Sequence, residues 1–160
     1  MKKLILFLLF TMVSVFGNAG EFINTTVSDK DVMCLAKNVY FEARDQSIKG
    51  QFAVALVTRN RVNSKRYPDT LCGVVEHRYH PQRIDCQFSW FCDGEPDTPQ
   101  EKESWELAVA VAKQVAFHGD YIIDHTKGST HYHAKYVLPW WASKLARIDV
   151  IGDHIFYVER

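Results

Sequence analysis

Residues 28–62 read SDKDVMCLAKNVYFEARDQSIKGQFAVALVTRNRV, and their pattern decides the fold. Ser28 suits a helix cap, and Asp31 stands three places on, where a capping box puts its acid. Val32, Leu35, Ala36, Val39, Tyr40 and Ala43 follow at helical spacing, predicting a first helix that runs to about Arg44. Ser47 opens a second helix, to about Asn63. Its middle, Phe52 to Val57, is apolar nearly all round, as in helices immersed at the centre of a domain. One amphipathic helix followed by one immersed helix predicts a helical core.

The flanking segments extend this pattern. Tyr67-Pro68-Asp69-Thr70 is a turn capping a short helix around residues 71–76. Residues 77–98 make a long polar and aromatic loop, and loops of that length in a small domain are functional or disordered. Thr98-Pro99-Gln100-Glu101 combines a cap, a proline at the first helical position and a capping-box acid. Trp105, Ala108, Val109, Ala112, Val115 and Ala116 form the buried stripe of that helix, with Trp105 in the core, and Gly119 ends it. The period then changes. Residues 129–134 alternate like a short strand, and residues 139–145 form a helical turn. Residues 147–151 and 154–158 flank Gly152-Asp153, a hairpin signal. The expected fold class is α+β, mainly helical with a small antiparallel sheet.

The chain has 160 residues with 19 basic and 19 acidic side chains. Such balance argues against a partner held by bulk electrostatics, so no nucleic-acid partner is expected. Lys2 and Lys3, an apolar run from Leu4 to Phe16, and Gly17-Asn18-Ala19 together have the form of a secretory signal peptide over 1–19. The run is shorter than the ~20 residues needed to span a bilayer, so no stable membrane span is expected after cleavage. A linker at 20–28 and one domain at 29–160 complete the expected organisation, with the product in the periplasm or outside the cell. Four cysteines in an exported small domain favour disulfides, and three pairings are possible. Cys34–Cys72 would tie two helices and Cys86–Cys92 would close a short loop. A cysteine zinc site needs close pairs of the Cys-x-x-Cys type, and there are none.

Glu42 is the candidate for chemistry. Leu35, Val39 and Glu42 share a narrow sector of the first helix, so Glu42 stands at the edge of the apolar stripe. Burial there, and the negative end of the helix dipole, both disfavour its charge. A carboxyl kept protonated can give its proton to a glycosidic oxygen. On spacing alone, a glutamate that snorkels to solvent or pairs with Arg44, Arg59 or Arg61 is the better reading. His131 and His133 alternate onto one strand face, with His125 and His154 nearby, and could be read as zinc ligands of an amidase.

A resemblance separates these readings. Cys34-Leu35-Ala36, Tyr40-Phe41-Glu42-Ala43-Arg44, Gly50-Gln51-Phe52-Ala53-Val54-Ala55 and Val57-Thr58-Arg59-Asn60-Arg61-Val62 resemble the SleB/CwlJ family of cell wall hydrolases. So do Tyr67-Pro68-Asp69-Thr70-Leu71-Cys72-Gly73-Val74-Val75, Cys86-Gln87-Phe88-Ser89, Thr130-His131-Tyr132-His133-Ala134, Pro139-Trp140-Trp141-Ala142 and Gly152-Asp153-His154-Ile155-Phe156-Tyr157. These matches fall in order across residues 31–158.

The resemblance implies a lysozyme-like domain related to lytic transglycosylases, acting as a monomer on peptidoglycan without metal or other cofactor. It implies Glu42 as catalytic acid and base in cleaving the bond between N-acetylmuramic acid and N-acetylglucosamine. The family's usual Gly-Glu after Glu-Ala-Arg is here Asp45-Gln46. Gln46 can bind substrate but cannot be a base. A two-carboxylate hydrolysis would then need Asp45, Asp85 or Asp93. Gln87, Phe88, Ser89 and Trp90 suit a sugar-binding wall, as do His131, Tyr132 and His133. Of Trp140 and Trp141, one is expected in the core and one on the cleft floor, with Trp141 taken as the binding residue. The alternatives are a zinc-dependent N-acetylmuramoyl-L-alanine amidase and a non-catalytic wall-binding module.

Overall fold

Capping fixes where the helices begin. In the computed structural model, which describes residues 27–80 and 85–159, α1 spans Asp29–Ala43. The Ser28 hydroxyl accepts from the Asp31 amide at 3.1 Å, and the Asp31 carboxylate accepts from the Ser28 amide at 3.4 Å. Asp31 also accepts from the Cys72 amide at 2.9 Å, tying α3 (Leu71–Val75) to the start of α1. α2 runs Ile48–Val62 behind its Ser47 cap. The expected signal segment 1–19 and linker residues 20–26 lie outside the described residues.

α4, the longest helix, spans Lys102–His118, and Gly119 caps its C-terminus. Its start differs from expectation. Thr98 and Pro99 lie outside it, and Glu101 is the N-cap without a side-chain cap bond. The Tyr40 hydroxyl on α1 accepts instead from the amides of Gln100 and Glu101, at 3.0 and 3.1 Å. Two amide donors at the helix entrance are thus satisfied by a neighbouring helix, which overrides the local signal. The Glu101 carboxylate is drawn to Arg44 at 3.1 Å.

Val32, Leu35, Ala36, Val39 and Tyr40 of α1 pack against Ala55 and Leu56 of α2 and Ala108, Val111, Ala112 and Val115 of α4. Trp105 is partly buried against this core. α2 is immersed as its composition predicts, its other side meeting the sheet through Ala53, Val57, Ile151 and Phe156. That sheet has strand order β1-β3-β2, with β1 His131–Ala134, β2 Ala146–Ile151 and β3 His154–Val158, all antiparallel. Gly152 turns the β2–β3 hairpin at φ 57°, a conformation suited to glycine.

Both bridges form, Cys34–Cys72 and Cys86–Cys92. The first lies against Val74, Val75, Phe88 and Trp90. The Trp90 indole N–H donates to Asn38 at 3.1 Å, and Asn38 donates to Thr58 at 3.1 Å. This buried polar chain fastens the long loop to α1 and α2. Trp90 therefore serves packing, stacked on Phe41 at 4.8 Å. Among the described residues, no helix is long and apolar enough to cross a membrane.

Candidate active site

The last turn of α1 carries Glu42 to the floor of a cleft of about 1120 Å³. Leu35 and Val39, on the same face of α1, are fully buried, so the stripe delivers Glu42 to the edge of the core. Strand β1 crosses opposite, and the Tyr132 hydroxyl donates to Glu42 Oε2 at 2.9 Å. Tyr132 packs beside Phe156, whose ring centroid lies 5.7 Å away.

Burial pushes the Glu42 carboxyl above its ordinary range, while the Tyr132 hydrogen bond and the Arg61 charge oppose the rise without cancelling it. The helix-terminus argument from sequence points the same way, but desolvation is the leading cause. Burial also holds the Tyr132 phenol well above its ordinary value, so it stays a donor. The arrangement can serve both halves of an acid–base cycle. Burial favours the protonated form of Glu42, and Tyr132 with Arg61 favours the carboxylate once the proton has left.

Arg61 is a cleft residue that the sequence reading weighed only as a partner for Glu42. It is 3% exposed, yet it lines the cleft with Glu42. Its Nε donates to the Thr130 carbonyl at 2.7 Å, and its guanidinium lies over the Phe88 ring at 5.0 Å. With its amide oxygen turned to the guanidinium, Gln87 accepts from Nη1 and Nη2 at 3.1 and 3.2 Å and donates to the Tyr79 hydroxyl at 2.6 Å. The other two candidate partners are taken: Arg44 pairs with Glu101 and Arg59 with Asp120.

The cell wall hydrolase profile matches residues 45–157. The chain belongs to the cell wall hydrolase family. It is 33% identical over 131 residues to the spore cortex-lytic enzyme of Halalkalibacterium halodurans, covering 81% of this chain and 35% of that one. It is 30% identical over 141 residues to the Bacillus cereus spore cortex-lytic enzyme, covering 87% and 48%. The chain thus spans a third to a half of the length of these curated relatives. The crystal structure of the catalytic domain of the Bacillus cereus SleB protein aligns with TM-score 0.62 and 25% identity, covering 89% of this chain and all of that one. The catalytic domain of the germination-specific lytic transglycosylase SleB from Bacillus anthracis aligns with TM-score 0.62 and 26% identity, covering 84% and 98%. These likenesses confirm the expected α+β fold and the resemblance. The profile match opens at Asp45, so Glu42 lies just outside it.

Of the other expected substrate-binding residues, Gln87, Phe88, Ser89, His131, Tyr132 and Trp141 line the cleft. Two do not. Gln46 accepts from the Asp153 amide at 2.9 Å and donates to the Asp153 carboxylate at 3.3 Å, so it holds the β2–β3 turn. His133 is buried, with Nδ1 2.9 Å from the Ala134 carbonyl and Nε2 2.9 Å from the Tyr157 hydroxyl. Neither nitrogen is left to meet a sugar. Trp140, one of the pair offered for the core, is 75% exposed at the cleft rim with Lys144 over its ring. The rings of His131 and His133 both face Trp141, at 5.3 and 5.6 Å. Among the described residues, only Cys34, Cys72 and Glu76 bring three donor atoms of metal-binding type together, and those two sulfurs are bonded to each other. Asp85 also lines the cleft; its carboxylate accepts from the His80 amide at 3.1 Å. Asp45 receives the Gln46 amide at 3.2 Å, and Asp93 closes a turn with the Glu95 amide at 2.9 Å.

Proposed function

We propose that this cell wall hydrolase is an exported, monomeric enzyme that cuts peptidoglycan glycan between N-acetylmuramic acid and N-acetylglucosamine, as a lytic transglycosylase. The observation that carries this reading is Glu42, raised in pKa on the cleft floor with one oxygen engaged by Tyr132. Glu42 gives its proton to the glycosidic oxygen as the bond from the muramic C1 breaks. N-acetylglucosamine leaves with a free hydroxyl, and positive charge develops at C1. The muramic 6-hydroxyl then bonds to C1, and its proton returns to Glu42. The products are a 1,6-anhydro end and a regenerated acid, and no water is consumed. One carboxyl performs both steps, which fits the glutamine at position 46.

Asp85 keeps a hydrolytic variant testable, because it is the other carboxylate lining the cleft among the described residues. Mass spectrometry of digested wall separates the routes. The lyase route predicts anhydro-ended fragments, unaffected by a chelator and abolished in Glu42→Gln. Reducing ends would indicate hydrolysis, and peptides released only without chelator would indicate a zinc amidase. The export reading predicts a mature protein beginning at Gly20, which N-terminal sequencing of the secreted form would check.

A further inference from the structure

Of the four tryptophans, three are packed into the fold and one is not. Trp90 is buried, and Trp105 is partly buried against the helical core. Trp141 packs on His131, His133 and Tyr157, with ring centroids 5.3, 5.6 and 5.6 Å away. Trp140 is 75% exposed, although it lines the same cleft as Glu42. An indole carries one of the largest apolar surfaces of any side chain, and leaving it in water forgoes the gain of burying it.

The exposed ring is nevertheless held. The turn that bears it is fastened by the Ala142 amide, which donates to the Pro139 carbonyl at 3.0 Å, and by the Ser143 hydroxyl, which donates to the Trp140 carbonyl at 3.3 Å. Ala142 is itself buried and anchors that turn. Lys144 sets its ammonium 4.4 Å from the ring centroid, over one face. The attraction of cation for ring fixes the orientation and occupies that face. The opposite face is left open. The sugar rings of a wall glycan carry their substituents equatorially, so each ring presents a face of axial C–H bonds. Such a face is apolar and faintly positive, and it suits the negative face of an indole.

We propose that Trp140 is a stacking platform for a sugar ring outside the pair being cleaved, so that the enzyme favours long glycan strands over short oligosaccharides. This deepens, and rests on, the glycan-cleaving reading. Glu42 lies on the cleft floor and Trp140 at the rim, so a strand whose scissile bond reaches Glu42 leaves the cleft past the indole. Stacking so far from the reacting atoms is made equally in the ground state and the transition state. It therefore lowers KM and leaves kcat little changed.

Because Trp140 is mostly exposed, replacing it leaves the packed core alone, and a thermal melt checks this. Wild type and Trp140→Ala are compared on long glycan strands and on a tetrasaccharide of the same repeat. The ratio of kcat/KM on strands to that on the tetrasaccharide should fall about threefold to tenfold in the variant, mostly through a higher KM on strands. Trp140→Tyr, which keeps an aromatic face, should restore most of the ratio. In a Glu42→Gln background, long strands should shift the tryptophan emission, and the shift should shrink when Trp140 is also replaced. An unchanged ratio, or a fall of the same size on both substrates, overturns the inference while leaving glycan cleavage standing. Failure of the wild type to cleave either substrate overturns the glycan reading and the inference with it.

Discussion

Replacing Tyr132 by Phe removes one oxygen and leaves the ring against Phe156 and His154, at 5.7 and 5.1 Å. The lost group donates to Glu42 at 2.9 Å. That bond favours the charged carboxylate over the neutral acid, so its loss raises the pKa of Glu42 further. A hydrogen bond to a charged group contributes about 1.5–3 kcal/mol. At about 1.4 kcal/mol per unit, the shift is roughly one to two pKa units upward. Glu42 must start the cycle protonated, so activity falls on the alkaline side as it ionises. The variant's alkaline limb should therefore move up by the same one to two units. Its plateau should fall, because the carboxylate formed after proton transfer has lost its partner. The assay is the initial rate of fragment release from purified wall at low substrate, across roughly pH 4 to 9, where the limbs of kcat/KM report the free enzyme. A thermal melt controls for folding. An alkaline limb that stays put, or moves down, would refute the claim that Tyr132 supports the carboxylate form of Glu42.

Other consequences follow from the same geometry. Glu42→Gln should lower activity by about a hundredfold or more, yet melt higher than the wild type at neutral pH. The sign follows from linkage: a carboxyl whose pKa is raised on folding favours the fold below its unfolded value and loses that contribution as pH rises through its folded value. A melting temperature lower than the wild type's at neutral pH would contradict this. Opening Cys86–Cys92 by serine replacement should cost about 2 kcal/mol, and opening Cys34–Cys72 about 4 kcal/mol, from sequence separations of 6 and 38. Activity on glycan should show the opposite order, because Cys86 through Ser89 line the cleft. Gln46→Ala should lower stability in urea by roughly 1–2 kcal/mol through the loosened hairpin, with kcat/KM on glycan held within about twofold; a large fall in kcat/KM would return Gln46 to the substrate.

The elements were legible because burial writes a period into the sequence. The stripe Leu35, Val39 carried Glu42 to the edge of the core, and the all-apolar middle of α2 announced its central place. Where the reading failed, a tertiary partner had displaced a local one. Thr98 and Glu101 spell a helix cap, but the Tyr40 hydroxyl took the amides they would have served. His131 and His133 do alternate onto one face, yet His133 is consumed by Ala134 and Tyr157, which no local pattern foretells. Gln46 stands where the pattern of the family that the sequence resembles has an acid, and this encouraged a substrate role. Its true partner, Asp153, lies 107 residues away.

Arg61 is the instructive omission, since the signal was present. Val54, Val57 and Arg61 lie three and four places apart, on one buried face of α2. A cation continuing a buried stripe is as anomalous as the carboxyl of Glu42 at the edge of its own. The two anomalies differ in how the fold can lessen the cost. Burial shifts Glu42 toward its neutral form, whereas an arginine has no neutral form to adopt. Its positive charge therefore persists in the resting cleft, where neutral oxygens and aromatic faces only partly offset it. That charge favours an incoming anion. Millimolar acetate or lactate should therefore raise the melting temperature of the wild type and leave Arg61→Met unmoved. Equal shifts in both would place the carboxylate somewhere other than Arg61.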